Sequence, residues 1–319
     1  PVAIFSDVPT NPTEASVDAG VRIFRESDCD GIVALGGGSP IDCAKAISLR
    51  VTHQESLETY AVIRGGLAKI SANKPPVIAV PTTSGTGSEV GRASLITVSS
   101  GAKLGLISPH LIPTAAVCDP ELTLNLPPAL TAATGMDAIS HCIETYCSPK
   151  FNPVADAIAL DGLSRAFHAI RGAVADGQKL EHRTEMMMAS LQGGLTFQKG
   201  LGMIHSLSHP LGAVPGKRLH HGTLNAIFLP HVLRFNADSI PEKMCHMAAA
   251  IGVASGEILP EAFEQLLSEI GLPSRLSELG VEVRDLNGIA EAAMQDHSTP
   301  CNPRAMTESD CEAILRASL

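Results

Sequence analysis

Two stretches of the chain pair a short apolar run with a loop rich in glycine and hydroxyl side chains. DGIVALGGGSPIDCAKAI holds an apolar run at 32–35, then three glycines, then a helical pattern that opens near Pro40. PPVIAVPTTSGTGSEV repeats this order, with an apolar run at 77–80 before a loop of Thr, Ser and Gly. AAVCDPELT at 115–123 indicates a further short strand. The run at 32–35 is typical of a buried strand, and short apolar strands separated by helices predict a parallel, doubly wound sheet.

The pattern changes near residue 127, where the strand signals nearly vanish. Helical patterns follow at 128–147, 153–173, 179–199, 222–236, 241–254, 260–271 and 306–317. We therefore predict an α/β dinucleotide-binding domain at 1–126 and an all-helical metal-binding domain at 127–319. The segment NPTEASVDAGVRIFRESDCD is typical of a helix that precedes a strand, whereas nucleotide domains usually begin with a strand and its phosphate-side turn. The first βαβ unit is therefore expected to be missing from this chain.

Charge and composition exclude several classes of function. The 319 residues carry a formal net charge of −10, so there is no basic surface for nucleic acid, and without Trp and with two Tyr there is no aromatic platform for single strands. No apolar stretch approaches the roughly 18 residues of a membrane span. The eight cysteines form no CxxC motif and are expected to be reduced. These features favour a cytoplasmic enzyme that binds neither nucleic acid nor membranes.

The two glycine- and hydroxyl-rich loops are candidate cofactor sites. GGGSPID at 36–42 lets the backbone approach a ligand closely, and the helix that follows offers unpaired N–H groups to a phosphate; an ordinary tight strand–helix turn is the alternative. TTSGTGSE at 82–89 is either a cofactor loop or a solvent loop with local turns. Ligands of open α/β sheets bind at the carboxyl ends of strands, where both loops lie, so the pair favours a cofactor. Lys103 follows and can neutralise a phosphate, although a single lysine is more often a surface charge.

Four residues of the helical part indicate a metal site. Asp137 and His141 are four residues apart in TAATGMDAISHCIETYC, which places both on one helix face. The helix is apolar around them, and buried polar side chains need partners, which a metal supplies. His205 and His221 complete a mixed N/O ligand set suited to a borderline divalent metal. The alternatives are a surface Asp–His pair and histidines satisfied within the core.

Spacing alone leaves two rivals for this ligand set. His209 is one helical turn from His205, in the same apolar segment. His220 adjoins His221, and neighbours in an extended segment point opposite ways, so only one of them faces inward. Spacing does not decide which.

Together these motifs resemble the iron-containing, or group III, alcohol dehydrogenases over nearly the whole chain. GGGSPIDCAKAI, PTTSGTGSEV, DPELT, LPPALTAATGMDAISHCIE, HSLSHPLGA, HHGTLNAIFLPHVLRFN and NPR at 302–304 occur in that family's order. The resemblance implies an N-terminal nucleotide-binding α/β domain and an all-helical C-terminal domain, a dehydroquinate synthase-like fold.

Carried over by position, the resemblance implies a role for each candidate residue. The metal ligands would be Asp137, His141, His205 and His221; the family's HG pair matches His221 and Gly222, which favours His221 over His220. The cofactor would be bound by Gly37, Gly38 and Ser39 at the pyrophosphate and by Thr82, Thr83, Thr86 and Lys103 around adenosine, ribose and nicotinamide. His209 matches a histidine beside the nicotinamide and substrate, a catalytic proton relay. Phe197 matches a position near the substrate pocket.

The activity implied is reversible hydride transfer between a primary alcohol, or its aldehyde, and NAD or NADP, with Fe²⁺ as Lewis acid. Zn²⁺, Mn²⁺ or Ni²⁺ fit the same ligands, and the residue that selects NAD over NADP lies before residue 1 of this chain. Small diols, lactaldehyde-type substrates, linear alcohols and hydroxy acids all fit, and a homodimer is expected. Alternatives are glycerol dehydrogenase-like, dehydroquinate synthase-like or maleylacetate reductase-like enzymes of the same fold, or a catalytically weak metal-binding assembly module.

Overall fold

The computed structural model describes residues 2–319, which divide into two compact units, residues up to Leu122 and Thr123–Leu319. The helices and strands of the first unit are α1 (Glu14–Glu26), β1 (Ile32–Gly36), α2 (Gly38–Thr52), β2 (Val77–Pro81), β3 (Ala93–Thr97), β4 (Lys103–Ile107) and β5 (Ala115–Ala116). Those of the second are α3 (Pro128–Cys147), α4 (Pro153–Ala175), α5 (Leu180–Thr196), α6 (Met203–Leu211), α7 (His221–Asn236), α8 (Pro241–Ala250), α9 (Leu259–Glu269), α10 (Ile289–Met294) and α11 (Glu308–Ala317). Among the described residues, no helix combines the length and apolar character needed to cross a membrane.

Three strands of the first unit form a parallel sheet of order β1-β2-β5, which confirms the predicted class of sheet. Alternate side chains point to opposite faces of a strand, and Ala34 and Ala79 pack with Ile41 of α2. The strand predicted to be buried at 32–35 is buried only in part, because Val33 and Leu35 are 68% and 60% exposed. The apolar run at 32–35 therefore has a buried face under α2 and an open face.

An antiparallel hairpin of β3 and β4 lies outside the predicted strands. Its register runs from Ala93 opposite Ile107 to Thr97 opposite Lys103. Ile96, Leu104 and Leu106 are buried in a core shared with α1 and α2. Each strand is only five residues long, too short for its alternation to stand out from the neighbouring loop.

The centre of the second unit is α3, whose bounds are those predicted. Every residue from Thr131 to Cys147 is buried, because neighbouring helices cover it on all sides. Gly135 permits this close packing: a Cβ there would lie 2.7 Å from Cε of Met186 and 2.8 Å from Cδ1 of Ile170. Polar residues on α3 are therefore removed from water and must find partners inside the protein.

Two helices of the second unit, α6 and α10, lie outside the predicted helical patterns. Gly200 and Gly202 precede α6, and Pro210 stands in its last turn, so the local sequence resembles a loop. The helix is nevertheless buried along most of its length and carries His205 and His209.

Candidate functional site

Three helices of the second unit bring the predicted metal ligands together. Asp137 and His141 lie one turn apart on α3, His205 lies in α6, and His221 is the first residue of α7. Oδ1 of Asp137 is 3.4 Å from Nε2 of His141, 3.8 Å from Nε2 of His205 and 3.6 Å from Nε2 of His221. Asp137, His205 and His221 have ligand atoms that all lie within 4.8 Å of one another, while the His141 ring stacks on His205 with centroids 4.8 Å apart.

These separations match those of ligand atoms around one small cation. Metal bonds to imidazole and carboxylate of about 2.0–2.2 Å place the ligand atoms of a tetrahedral site about 3.3–3.6 Å from one another. The measured contacts of 3.4, 3.6 and 3.8 Å lie at or just above that range. The donor set therefore fits a divalent metal.

Asn225 provides a second test of that fit. Its Nδ2 lies 2.8 Å from Oδ1 of Asp137, 3.2 Å from Nε2 of His205 and 3.1 Å from Nε2 of His221. An amide has two hydrogens, so it cannot donate to all three atoms when both imidazole Nε2 atoms carry lone pairs. Its own buried Oδ1 has no hydrogen-bond partner among the described residues. A cation bound between Oδ1 of Asp137 and the two Nε2 atoms would accept the lone pairs that the amide hydrogens do not reach.

The electrostatics of the cluster favour positive charge. Burial opposes protonation of His205, but the carboxylates of Glu144 and Asp137 outweigh it and raise its pKa to about 9. Burial also opposes ionisation of Asp137, yet His141, His221 and His205 together hold its pKa well below the usual range. Carboxylates that stabilise a protonated imidazole will stabilise a metal cation in the same position.

His209, the rival one turn from His205, is held by a different partner. Its Nδ1 lies 2.8 Å from Oδ2 of Asp296, and His209 lowers the pKa of that carboxyl against the opposing effect of burial. Its ring stacks on His221 with centroids 5.4 Å apart and on His297 at 5.6 Å. His209, Asp296 and His297 form a second group of potential ligands beside the first.

His220, the rival beside His221, lies apart from the hydrogen bonds of the cluster. Its buried Nδ1 has no hydrogen-bond partner among the described residues, and burial lowers the pKa of its imidazole. His221 instead points Nε2 at Asp137, with Nδ1 3.5 Å from Oγ of Ser208. Phe197 lies in the short 3₁₀ turn after α5, and its ring edge meets the His141 ring at 4.7 Å.

The predicted cofactor loops meet at the carboxyl ends of β1 and β2. Gly37 caps α2 and Gly38 begins it, and a Cβ on these residues would lie 3.2 Å from Oγ1 of Thr83 and 2.7 Å from Cγ2 of Thr86. The backbone N–H of Thr82 donates to the carbonyl of Gly36 at 2.9 Å. The absence of side chains at 37 and 38 therefore lets Thr83 and Thr86 of the second loop pack directly against the turn.

Asn11 connects two further candidate cofactor-binding residues, Ser39 and Lys103. The sequence alone did not indicate Asn11. Its backbone N–H donates to Oγ of Ser39 at 3.3 Å, and its Oδ1 accepts from Nζ of Lys103 at 2.8 Å. Asn11 has a φ of 61°, a left-handed conformation in which asparagine is enriched. Lys103 is therefore tied to the same loop region as Ser39.

Comparison with known proteins identifies the class to which this fold and site belong. The iron-containing alcohol dehydrogenase model matches residues 1–120, and the C-terminal model of the Fe-containing alcohol dehydrogenase family matches 131–319. The chain belongs to the iron-containing alcohol dehydrogenase family. The predicted family and fold class are confirmed. At the level of the family, the predicted activity as a metal-dependent alcohol dehydrogenase or aldehyde reductase is confirmed too. The same holds for the predicted cofactors, iron and a nicotinamide.

Several relatives span nearly all of the chain. It is 49% identical to 4-hydroxybutyrate dehydrogenase of Cupriavidus necator, covering 100% of this chain and 85% of that protein. It is 39% identical to 1,3-propanediol dehydrogenase of Klebsiella pneumoniae, covering 99% and 82%. The crystal structure of a 1,3-propanediol oxidoreductase superposes with a TM-score of 0.94 at 38% identity, covering 99% of this chain and 84% of that one. Sulfoacetaldehyde reductase from Bifidobacterium kashiwanohense, solved in complex with NAD+, gives a TM-score of 0.90 at 30% identity, covering 99% and 83%.

Proposed function

We propose that this protein catalyses reversible hydride transfer between a primary alcohol and NAD or NADP, with a divalent metal held by Asp137, His141, His205 and His221. The observation that carries the proposal is the convergence of three imidazole Nε2 atoms on one carboxylate oxygen, at 3.4 to 3.8 Å, inside a buried helical unit. Family membership supplies the reaction class. When bound, Fe²⁺ or a similar cation supplies a Lewis acid that makes the alcohol more acidic.

His209 is the proposed proton carrier of this reaction. As hydride leaves the alcohol carbon for C4 of the nicotinamide, the hydroxyl proton must leave as well. The ionised Asp296 can only accept, so it fixes the hydrogen of His209 on Nδ1 and leaves Nε2 able to take the proton. The side chain of His209 is 16% exposed, which lets it pass the proton on toward solvent. Phe197 packs against His141 and is the proposed wall of the substrate pocket.

The domain at 1–126 is proposed to bind the dinucleotide, and the domain at 127–319 is proposed to bind the metal. The N-terminus of α2 offers the N–H groups of Gly38 and Ser39 to a pyrophosphate, and a helix of 15 residues adds its dipole. Thr82, Thr83 and Thr86 add hydroxyl groups beside that turn, and Lys103 adds a positive charge. Fluorescence titration with NADH and NADPH tests this, and absence of any dinucleotide binding would leave the metal-binding assembly module as the better hypothesis.

The proposed substrate is a short ω-hydroxy acid such as 4-hydroxybutyrate. The support is the 49% identity over the whole chain to a 4-hydroxybutyrate dehydrogenase, against 39% to a 1,3-propanediol dehydrogenase. We expect kcat/KM to be highest for 4-hydroxybutyrate, ahead of 1,3-propanediol and unsubstituted primary alcohols of equal length. A higher kcat/KM for the diol would overturn this choice without affecting the reaction class.

We also propose a cytoplasmic homodimer. All eight cysteines are free, as expected in a reducing compartment. β1 and β5 are the edges of the parallel sheet, and unpaired strand edges are common sites of pairing between copies. Light scattering on the purified protein tests the dimer, and a monomer at micromolar concentration would refute it.

The metal site is tested by comparing two histidine variants of the second unit. His205→Ala should lose the metal and the activity, because it removes one of the converging donors. His168→Ala is the matched control, since this exposed histidine on α4 makes a local hydrogen bond, in which its Nδ1 donates to the carbonyl oxygen of Ser164 at 2.7 Å. Elemental analysis of anaerobically purified protein, alongside NAD(P)H absorbance assays, gives both readouts. Metal retained at full stoichiometry in His205→Ala would place the site elsewhere.

A further inference from the structure

We propose that Glu144 is the positioning residue of the metal site: its carboxylate fixes the ring of His205 so that Nε2 faces the metal, and it anchors the start of α6. The inference deepens the proposed function and rests on His205 being a metal ligand. Glu144 does not itself belong to the converging donor set.

Glu144 lies on the same stripe of α3 as the two ligands of that helix. Asp137, His141 and Glu144 are separated by four and three residues, the spacing of one helix face. The Glu144 side chain is 4% exposed, and its Oε2 lies 2.6 Å from Nδ1 of His205. Among the described residues no lysine or arginine makes an ion pair with it, so this buried carboxylate has its charge matched only at His205.

The chemistry of a carboxylate determines the orientation of the histidine. An ionised carboxylate has acceptors and no donor, so Nδ1 of His205 must carry the hydrogen that Glu144 accepts. The lone pair is then on Nε2, the atom that faces Oδ1 of Asp137 at 3.8 Å. Metal-bound histidines commonly donate their second ring N–H to such an outer partner, which fixes the tautomer and raises the basicity of the ligand.

The other oxygen of Glu144 holds the helix that carries His205. Its Oε1 accepts from the backbone N–H of Ile204 at 2.6 Å, and Oδ1 of Asn302 accepts from that of Met203 at 3.2 Å. These N–H groups have no partner within the helix because they lie in its first turn. A Cβ on Gly202 would lie 2.9 Å from Asn302 Oδ1 and 3.1 Å from Glu144 Oε1. The glycine before α6 therefore leaves room for both acceptors.

Asn302 explains the NPR motif at 302–304, to which sequence reasoning assigned no role. Its Nδ2 donates to Oδ1 of Asn236 at 2.9 Å, and Asn236 Nδ2 donates back to Asn302 Oδ1 at 3.1 Å. Asn236 is the last residue of α7, the helix that begins with His221. The start of α6 is thus fixed to α3 by Glu144 and to α7 by this amide pair.

Glu144→Gln is the informative substitution because it preserves size and removes one acceptor. A Gln oxygen directed at Ile204 N–H places the NH₂ group against Nδ1 of His205, which favours the opposite tautomer with hydrogen on Nε2. A Gln oxygen directed at His205 instead sets NH₂ against the N–H of Ile204. Either arrangement should weaken metal binding by about 10- to 100-fold, the range seen when outer partners of metal ligands are changed.

Zn²⁺ is the probe, titrated into the metal-free full chain against a chelating dye. Ser206→Ala is the matched control: it removes a buried hydroxyl next to His205, with bonds to the Gly202 carbonyl and Thr299, without touching the imidazole. We expect Glu144→Gln to bind Zn²⁺ at least tenfold more weakly and Ser206→Ala to stay within about twofold of the parent. Equal losses in the two variants, or no loss in Glu144→Gln, would overturn the proposal.

A measurement on the unsubstituted protein does not depend on the variants folding. Ring ¹⁵N NMR of the Zn²⁺-loaded chain should show His205 bound through Nε2 with a hydrogen on Nδ1, and binding through Nδ1 would refute the role of Glu144. Loss of Zn²⁺ in His205→Ala but not in Glu144→Gln would refute this inference alone. Retention of Zn²⁺ in His205→Ala would refute the proposed metal site itself.

Discussion

Gly222, the second residue of α7, is the position where a single methyl group should disable the site. A Cβ there would lie 2.0 Å from the backbone oxygen of Ala133 in α3 and 3.2 Å from Cβ of Asp137. The Ala133 oxygen belongs to a buried helix and cannot rotate away. Ordinary contact begins near 3.4 Å, so Gly222→Ala requires the two helices to separate locally by 3.4 − 2.0 = 1.4 Å.

That separation acts directly on the proposed ligands, because His221 adjoins Gly222 and Asp137 faces it. Metal–ligand distances tolerate deviations of only about 0.2 Å, and a misplacement of about 1 Å in an active site can cost about 100-fold in rate. We therefore expect Gly222→Ala to lose at least about 100-fold in kcat/KM and to retain little metal after dialysis. Overpacking should also lower the free energy of unfolding by about 1–3 kcal/mol.

Metal content, kcat/KM and denaturant unfolding of the same preparation measure these effects. Gly105→Ala is the matched control, since a Cβ at Gly105 would meet its nearest neighbour, Cδ2 of Leu95, at an ordinary 3.5 Å. It should keep metal and activity. A Gly222→Ala protein with full metal content and unchanged kcat/KM would refute the claim that backbone contact between α3 and α7 sets the distance from His221 to Asp137.

Other properties can be checked independently. His209→Ala should keep the metal while kcat falls by about 10²- to 10⁴-fold, the range for loss of a general acid–base group. Asp296→Asn should lower kcat less than His209→Ala does. Metal loss in His209→Ala would instead identify His209 as a metal ligand. Chelation should lower thermal stability, since a metal at 100 times its Kd contributes about 2.7 kcal/mol to the folded state, and an unchanged melting temperature after verified metal removal would contradict this. Burial raises the pKa of the Cys142 and Cys147 thiols to about 12, so at pH 8 they stay protonated and should react with a disulfide reagent only after unfolding. Exposed Cys245 should give a fast phase that Cys245→Ser removes.

Local sequence predicted those parts of the molecule that depend on neighbours along the chain. The bounds of α3 and the pairing of Asp137 with His141 follow from helical periodicity, which places residues four apart on one face. The strand–loop–helix order of the first unit likewise predicted that the loops at 36–42 and 82–89 would lie at the same edge of the sheet, because β1 and β2 are parallel.

Local sequence did not indicate the partners that reach the site from distant parts of the chain. Asn225 meets Asp137 across 88 residues, and Asp296 meets His209 across 87. Helical periodicity relates only residues three or four apart, so it predicts neither contact. Such contacts depend on how whole helices pack against one another. Glu144 could have been predicted from the sequence, because it lies on the same helix face as Asp137 and His141. A buried acid on a helix face that carries metal ligands indicates a partner for one of those ligands.

The bond from Met203 to Asn302 spans 99 residues, and it gives the site an order of assembly during synthesis. When α6 leaves the ribosome its two histidines are already present, but the asparagine that holds its first turn has not been translated. Helices α7 to α10 must follow before Asn302 can dock. A ribosome-bound chain that ends before residue 302 would therefore present these ligand side chains on a helix whose first turn is held by Glu144 but not yet by Asn302, so capture of metal is expected as a late event in the maturation of this protein.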